Sequence, residues 1–341
     1  LEKIQSGDRG YIVGLNSLRF FAFLFIFIFH ASGISILNNV RLKFFFLLSG
    51  FILTTASIAH LSEKRLSVNW AIQFLIKRLA RLGSVYYLIL LFSFFVLPVI
   101  AKFLSGHVPS MPERPWLYFT LLSNYDNSDH IYLLKFLWAI SVEWQLYLLF
   151  AFAGIVTRFR PFFMAMIGFL LFSILALLDS FGFIRMDYFG TESYVIYFSS
   201  GILLSYIVSE FSKKTVYLSL AFFLIPIILL LLSFGSNTNL PFSDLLSLLL
   251  SSLFVLLVYH SQSFLRGILF SDSPTERLGR ISYGLYAFSG LALTLFRFLF
   301  GQHFGVGGIV LTLLFLILVA ELSYRYYERP IYLFVKNRFT G

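Results

Sequence analysis

The chain has 341 residues, of which 59% are apolar and 12% charged, and its mean hydropathy is +0.86. A water-soluble protein carries roughly a quarter of its residues charged, so these values argue against a soluble enzyme, a disordered chain or a nucleic-acid-binding domain. The absence of cysteine excludes disulfides, thiol nucleophiles and thiolate metal sites. The net charge of +10 has meaning only once the basic residues are placed.

Crossing the hydrocarbon core of a bilayer takes about 20 apolar residues as a helix. Nine stretches are free of Asp, Glu, Lys and Arg: 20–40, 44–62, 82–101, 161–178, 193–209, 215–243, 245–265, 281–296 and 298–320. A tenth, 136–157, is interrupted only by Glu143. Lipid admits only helices or closed barrels, and these runs lack the alternation of barrel strands. The predicted fold is therefore all-α, a polytopic membrane protein of about ten transmembrane helices. The first helix is expected to begin near Tyr11, which puts Arg19 inside the membrane. It is too long for a signal-peptide core, and the arginine in its middle marks it as retained. No internal repeat or low-complexity tract interrupts the pattern, so residues 1–341 are expected to form a single membrane domain without an appended soluble domain.

Orientation follows from Lys and Arg in the loops. With the N-terminus inside, eighteen basic residues fall in inside segments and five in outside loops, namely Arg41, Lys43, Lys102, Arg114 and Arg185. Both termini are accordingly expected in the cytoplasm. Most of the positive charge then serves orientation rather than recognition of a polyanion, and no nucleic-acid partner is expected.

A charge within the membrane costs about 2.5–3.5 kcal/mol on insertion scales and is a functional signal by default. Arg19 and His30 lie eleven residues apart on the first span. Eleven steps of a helix return to within about 20° of the starting direction and rise roughly 16 Å, so both side chains face one way. Arg19 could instead snorkel to the interface, and His30 could satisfy a buried hydrogen bond. Glu143 stands midway along the fourth span and needs a partner or a proton, whether as an interhelical lock or as chemistry. The antiparallel course of spans one and four lets His30 and Glu143 reach similar depths, where a carboxylate could fix the imidazole tautomer for general-base work.

In WAIQFLIKRLARLGS, Lys77, Arg78 and Arg81 oppose Phe74, Leu75, Leu79 and Leu82. This reads as an amphipathic interfacial helix entering span three. Its cations anchor anionic lipid or bind the phosphates of a cytoplasmic cosubstrate. Arg297, at the outer end of span nine, is read as snorkelling. Ser49-Gly50 and Ser141 could hydrogen-bond across helices, although such residues are usually packing contacts. His60, His107, His130 and His303 show no metal-ligand spacing, and no P-loop, nucleophile elbow or zincin motif occurs. No metal is expected.

Taken in order, these segments resemble the acyltransferase-3 family of integral membrane acyltransferases. LNSLRFFAFLFIFIFH (15–30) resembles its opening signature, a basic residue, ten intervening residues and a His. FFFLLSGFIL (44–53) resembles its second-helix motif, FLIKRLARL (74–82) its basic motif, and LWAISVEWQLYLL (137–149) its LWSLSVE-type motif, with Glu143 at the acidic position. GRISYGLYAFSG (279–290) and ELSYRYYERP (321–330) resemble the last two segments.

The resemblance implies an enzyme of the bacterial cytoplasmic (inner) membrane. Such an enzyme moves an acyl group, usually acetyl, from cytoplasmic acyl-CoA to a hydroxyl of a surface or secreted glycan such as an exopolysaccharide or lipopolysaccharide. It implies acetyl-CoA or another short acyl-CoA as donor substrate and no metal. By the same resemblance His30 is the catalytic histidine and Glu143 a further catalytic-site residue; Arg19, Lys77, Arg78 and Arg81 bind the donor, and Ser49, Ser141 and Tyr283 are weaker candidates for substrate contact. Many members have a second His shortly after the SYxLY segment, where this chain has Ser289. The chain also lacks the SGNH-type domain of some members, so a separate extracytoplasmic acyl-handling protein is a possible partner. The alternative reading is a glycan-precursor transporter or flippase without chemistry, for which repeated halves with broken helices would be expected.

Overall fold

The computed structural model describes residues 14–33, 41–61, 68–126, 128, 133–210, 247–253, 255–256, 273–301 and 305–339. The expected span 215–243, most of 245–265, and His130 and His303 lie outside them. Among the described residues the chain is helical, with no strand. The apolar runs form helices because the backbone must satisfy its own hydrogen bonds within lipid.

The helices, in chain order, are α1 (Leu15–Ser32), α2 (Arg41–Leu61), α3 (Val68–Leu91), α4 (Leu97–Ser105), α5 (Pro115–Phe119), α6 (Trp138–Val156), α7 (Pro161–Ser180), α8 (Val195–Glu210), α9 (Pro274–Arg280), α10 (Ser282–Phe300), α11 (Val306–Ser323) and α12 (Arg329–Phe339). Among the described residues six segments are long and apolar enough to cross a membrane: Leu15–Ser32, Val68–Leu104, Leu134–Val156, Pro161–Ser180, Ser282–Phe300 and Val306–Phe339. Phe95, Phe103, Leu170, Leu177, Leu314 and Leu318 project from them, exposed on the outside of the bundle. Such apolar side chains suit lipid rather than water. The protein is multi-pass.

The basic segment 74–82 is helical and leads into span three. It lies within α3, which runs on through a π-turn at Phe92–Val96 into α4 as one long span. At the other end, Gly301 closes α10 with a positive φ of 87°, and α11 continues through a second π-turn, Tyr324–Glu328, into α12. The ELSYRYYERP segment is therefore helical, and Arg297 belongs to the last turn of α10.

Helices α2 and α8 cross with their backbones in contact. A Cβ on Gly50 would lie 2.2 Å from the carbonyl oxygen of Phe198, and one on Gly201 would lie 2.0 Å from that of Leu47. Small residues permit this approach where lipid gives no hydrophobic drive to helix pairing. Ser49 is buried beside this crossing.

The start of α1 is held by α9. Asn16 Nδ2 donates to Glu276 Oε1 at 2.6 Å, and Ser17 Oγ donates to Glu276 Oε2 at 3.4 Å. Glu276 is buried, so its lone pairs must be satisfied by such donors. This clamp sets the register of the turn that carries Arg19.

Candidate functional site

One face of α1 is written into a single cavity. Arg19, Phe23 and Ile26 line it together with Leu42 and Phe45 of α2. Ala139, Ile140 and Glu143 of α6 and Ser282, Tyr283 and Tyr286 of α10 complete the wall. The spacing i, i+4, i+7 along α1 defines one stripe, and His30 at i+11 continues it outward. The cavity is narrow, about 20 Å³ in volume, enough for a water molecule or so and too small for a thioester. A substrate would have to part the helices to enter.

Glu143 is 2% exposed and accepts a hydrogen bond from the hydroxyl of Tyr147, one turn later on α6. Its charge also acts on Arg19 and Arg78. Arg78 reaches the same cluster from α3, with its guanidinium 5.4 Å from the Phe74 ring centre and 5.5 Å from that of Tyr147. Arginine suits this position because its planar, weakly hydrated cation stacks on aromatic faces. Arg81 adds positive potential to Arg19 and Arg78. Arg19, Arg78 and Arg81 thus act electrostatically around one carboxyl group, that of Glu143, which Tyr147 hydrogen-bonds. Buried charges persist only when paired and hydrogen-bonded, and an excess of cation is what an anionic ligand would complete.

The other expected residues separate. Lys77 interacts with Arg78 but also with Lys336 of α12. Tyr283 lines the cavity while its hydroxyl donates to the carbonyl of Leu82 on α3. Ser141 shares a hydrogen bond of 2.8 Å with Ser123, and Ser49 sits at the α2–α8 crossing, so both contribute to packing.

His30 stands at the outer end of the stripe. Its ring packs against Phe136 with centroids 4.7 Å apart, and Phe136 accepts a hydrogen bond from Tyr286 at 3.0 Å. Phe136 precedes Glu143 by seven residues, about 10 Å of helix. The hydrogen-bond partner that Glu143 has on its own helix is Tyr147. Arg297 does not snorkel outward: its guanidinium donates to the carbonyl of His30 at 2.8 Å. Ser289, at the place of the family's second His, is buried and donates to the carbonyl of Tyr286 at 2.5 Å.

Sequence reasoning missed Tyr147, Tyr286 and Glu328. The i, i+4 spacing of Glu143 and Tyr147 was a visible signal. Glu328 was not, because its burial depends on the π-turn that rotates it inward, where it accepts from Ser323 at 2.9 Å and acts on Arg81. π-turns within helices often mark functional positions.

A family model described as "Acyltransferase domain" matches residues 12–324. The chain is similar to O-acetyltransferase OatA of Staphylococcus aureus strain NCTC 8325 / PS 47, 26% identical over 357 aligned positions. The same likeness holds for OatA of strains COL and MRSA252. The alignment covers 97% of this chain and 58% of the relative, so the chain spans less than two thirds of the length of the curated relatives it matches. No solved structure matches it.

Proposed function

The chain belongs to the acyltransferase family whose model spans residues 12–324, and from that premise we propose that it is a membrane O-acyltransferase. The donor in this reading is cytoplasmic acetyl-CoA or another short acyl-CoA, and the acceptor is a hydroxyl of a surface or secreted glycan. The observation that carries the reading is the single cavity joining Arg19, Glu143 and Tyr283, with Arg78 and Arg81 acting electrostatically on the same cluster. The proposed topology is ten helices with both termini cytoplasmic, in the bacterial inner membrane, with the chain acting as one domain and without a metal.

In this scheme Arg19, Arg78 and Arg81, with Lys77 nearer the entrance, hold the phosphates of the donor. Arginine matches phosphate geometry with its fixed fork of donors. The thioester threads along the α1 stripe toward His30. The imidazole either takes the acceptor's hydroxyl proton as oxygen attacks the thioester carbonyl, or takes the acyl group and passes it on. In both routes the C–S bond breaks and the CoA thiolate leaves with a proton. Glu143 orients or polarises the imidazole, or binds the acceptor. A separate extracytoplasmic protein could receive the acyl group. The family match supports this transfer chemistry over the alternative of a glycan transporter.

The test is glycan acetylation, measured by mass spectrometry, in cells making His30→Ala protein at normal levels. Loss of the acetyl mass is expected; undiminished acetylation rejects the catalytic role of His30.

A further inference from the structure

A second cleft lies away from the arginine network. The loop after α5 and the loop between α7 and α8 meet there, against the middle of α6 at Gln145. Its mouth, about 340 Å³, is lined by Asn124, Tyr125, Arg185, Asp187 and Glu192. Tyr125, Arg185 and Glu192 also wall an adjoining crevice of about 430 Å³. That crevice descends between α6 and α7 past Leu149, Leu171 and Leu175. Its outer rim is open to the lipid-facing surface, since Leu148 and Ile174 beside it are exposed.

The polar groups of the mouth are built in place rather than loosely arrayed. Gln145 of α6 donates to Asn124 Oδ1 at 2.8 Å and to the carbonyl of Leu121 at 3.1 Å, and accepts from Thr191 Oγ1 at 2.5 Å. Tyr125 donates to Glu192 Oε2 at 3.3 Å. Glu192 folds back over Gly190, where a Cβ would meet its carboxylate oxygen at 1.7 Å. Asn124 is buried. The phenol of Tyr125 is pushed up in pKa by burial and by Glu192, so it stays a neutral donor. Volumes of a few hundred Å³ with a few fixed polar groups are typical of small-molecule sites. A half-exposed tyrosine ring beside carboxylates, an amide and an arginine suits a flat, hydroxyl-rich ring that stacks on one face and hydrogen-bonds at its edge.

We propose that this cleft binds an amphiphilic glycan, with the sugar head group in the polar mouth and its lipid chain in the α6–α7 crevice. A soluble sugar would leave the crevice empty, and a plain phospholipid would leave the aromatic and acidic groups of the mouth without a hydroxylated partner. Its role as acceptor site rests on the acyl-transfer reading, whereas its occupancy does not.

The experiment places the protein in phosphatidylcholine nanodiscs doped with a dihexosyl diacylglycerol and counts retained glycolipid by native mass spectrometry. Wild-type protein is expected to retain it. The double variant Tyr125→Ala/Glu192→Gln is expected to lose about tenfold in retention, as hydrogen bonds and a stacking face are removed. Leu175→Trp, which fills the crevice, is expected to do the same while remaining monodisperse. His30→Ala should retain glycolipid as the wild type does, which separates this cleft from the chemistry. Retention no greater than that of sugar-free diacylglycerol, or full retention by the Tyr125→Ala/Glu192→Gln protein, overturns the proposal. Equal affinity for the free disaccharide overturns its lipid half.

Discussion

The guanidinium of Arg297 donates to the backbone carbonyl of His30 at 2.8 Å, joining residues 267 positions apart. The carbonyl belongs to the last turn of α1, where the helix leaves its final acceptors without internal donors. A cation there also meets the negative end of the helix dipole. Gly33 closes the same turn through its N–H to Phe29. The His30 ring is thus aimed by a turn fixed from both sides.

Replacing Arg297 with Gln should therefore reduce turnover while leaving the donor KM unchanged. A hydrogen bond from a charged donor contributes about 1.5–3 kcal/mol, so the thermal unfolding midpoint in detergent should also fall. Arg297→Lys should recover part of both, since it keeps the charge without the fork. Steady-state kinetics with purified protein checks the split; a rise in donor KM alone would contradict it.

Glu143→Ala should be among the most destabilising single changes. It removes the carboxyl group whose charge acts on both Arg19 and Arg78 and leaves the buried Tyr147 hydroxyl without its acceptor, a loss of about 1–3 kcal/mol. Glu143→Gln preserves shape and the acceptor for Tyr147, so it should fold and lose activity instead. Tyr147→Phe removes a single hydrogen bond, worth about 1 kcal/mol. Thermal denaturation followed by tryptophan fluorescence orders the three.

Arg78→Ala and Arg81→Ala should each raise the donor KM by about tenfold or more, the scale of a lost phosphate contact. Lys77→Ala should have the smaller effect, because Lys77 is not among the charges that act on Arg19. Binding of acyl-CoA measured by calorimetry compares the three variants, and equal losses in all three would remove the distinction between the two arginines and Lys77.

Gly201→Val should prevent recovery of folded protein. Its first added carbon already meets the Leu47 carbonyl at 2.0 Å, and backbone cannot yield as a flexible side chain can. Gly33, whose added Cβ would meet nothing within 4 Å, provides the comparison: Gly33→Ala strains only a positive φ of 73° and should still yield monodisperse protein. Size-exclusion chromatography reports both.

The sequence by itself determined that this chain is helical and crosses a membrane, because lipid leaves long apolar segments no other way to satisfy their backbone. It also named Arg19, His30 and Glu143, since ionisable groups are costly and sparse in such segments. The periodicity of one helix sufficed to put Arg19 and His30 on a common stripe. Tertiary structure decided what local periodicity cannot encode, namely which helices meet and at what depth. It set Glu143 against Tyr147 and within the electrostatic reach of Arg19 and Arg78. It turned Arg297 inward onto a backbone carbonyl, which carries no side-chain signal in the sequence. It buried Glu328 through a π-turn that shifts the helical phase, and it brought two distant loops together around Tyr125 and Glu192. Each of these depends on helix crossing and offset, which arise from packing between segments far apart in the chain.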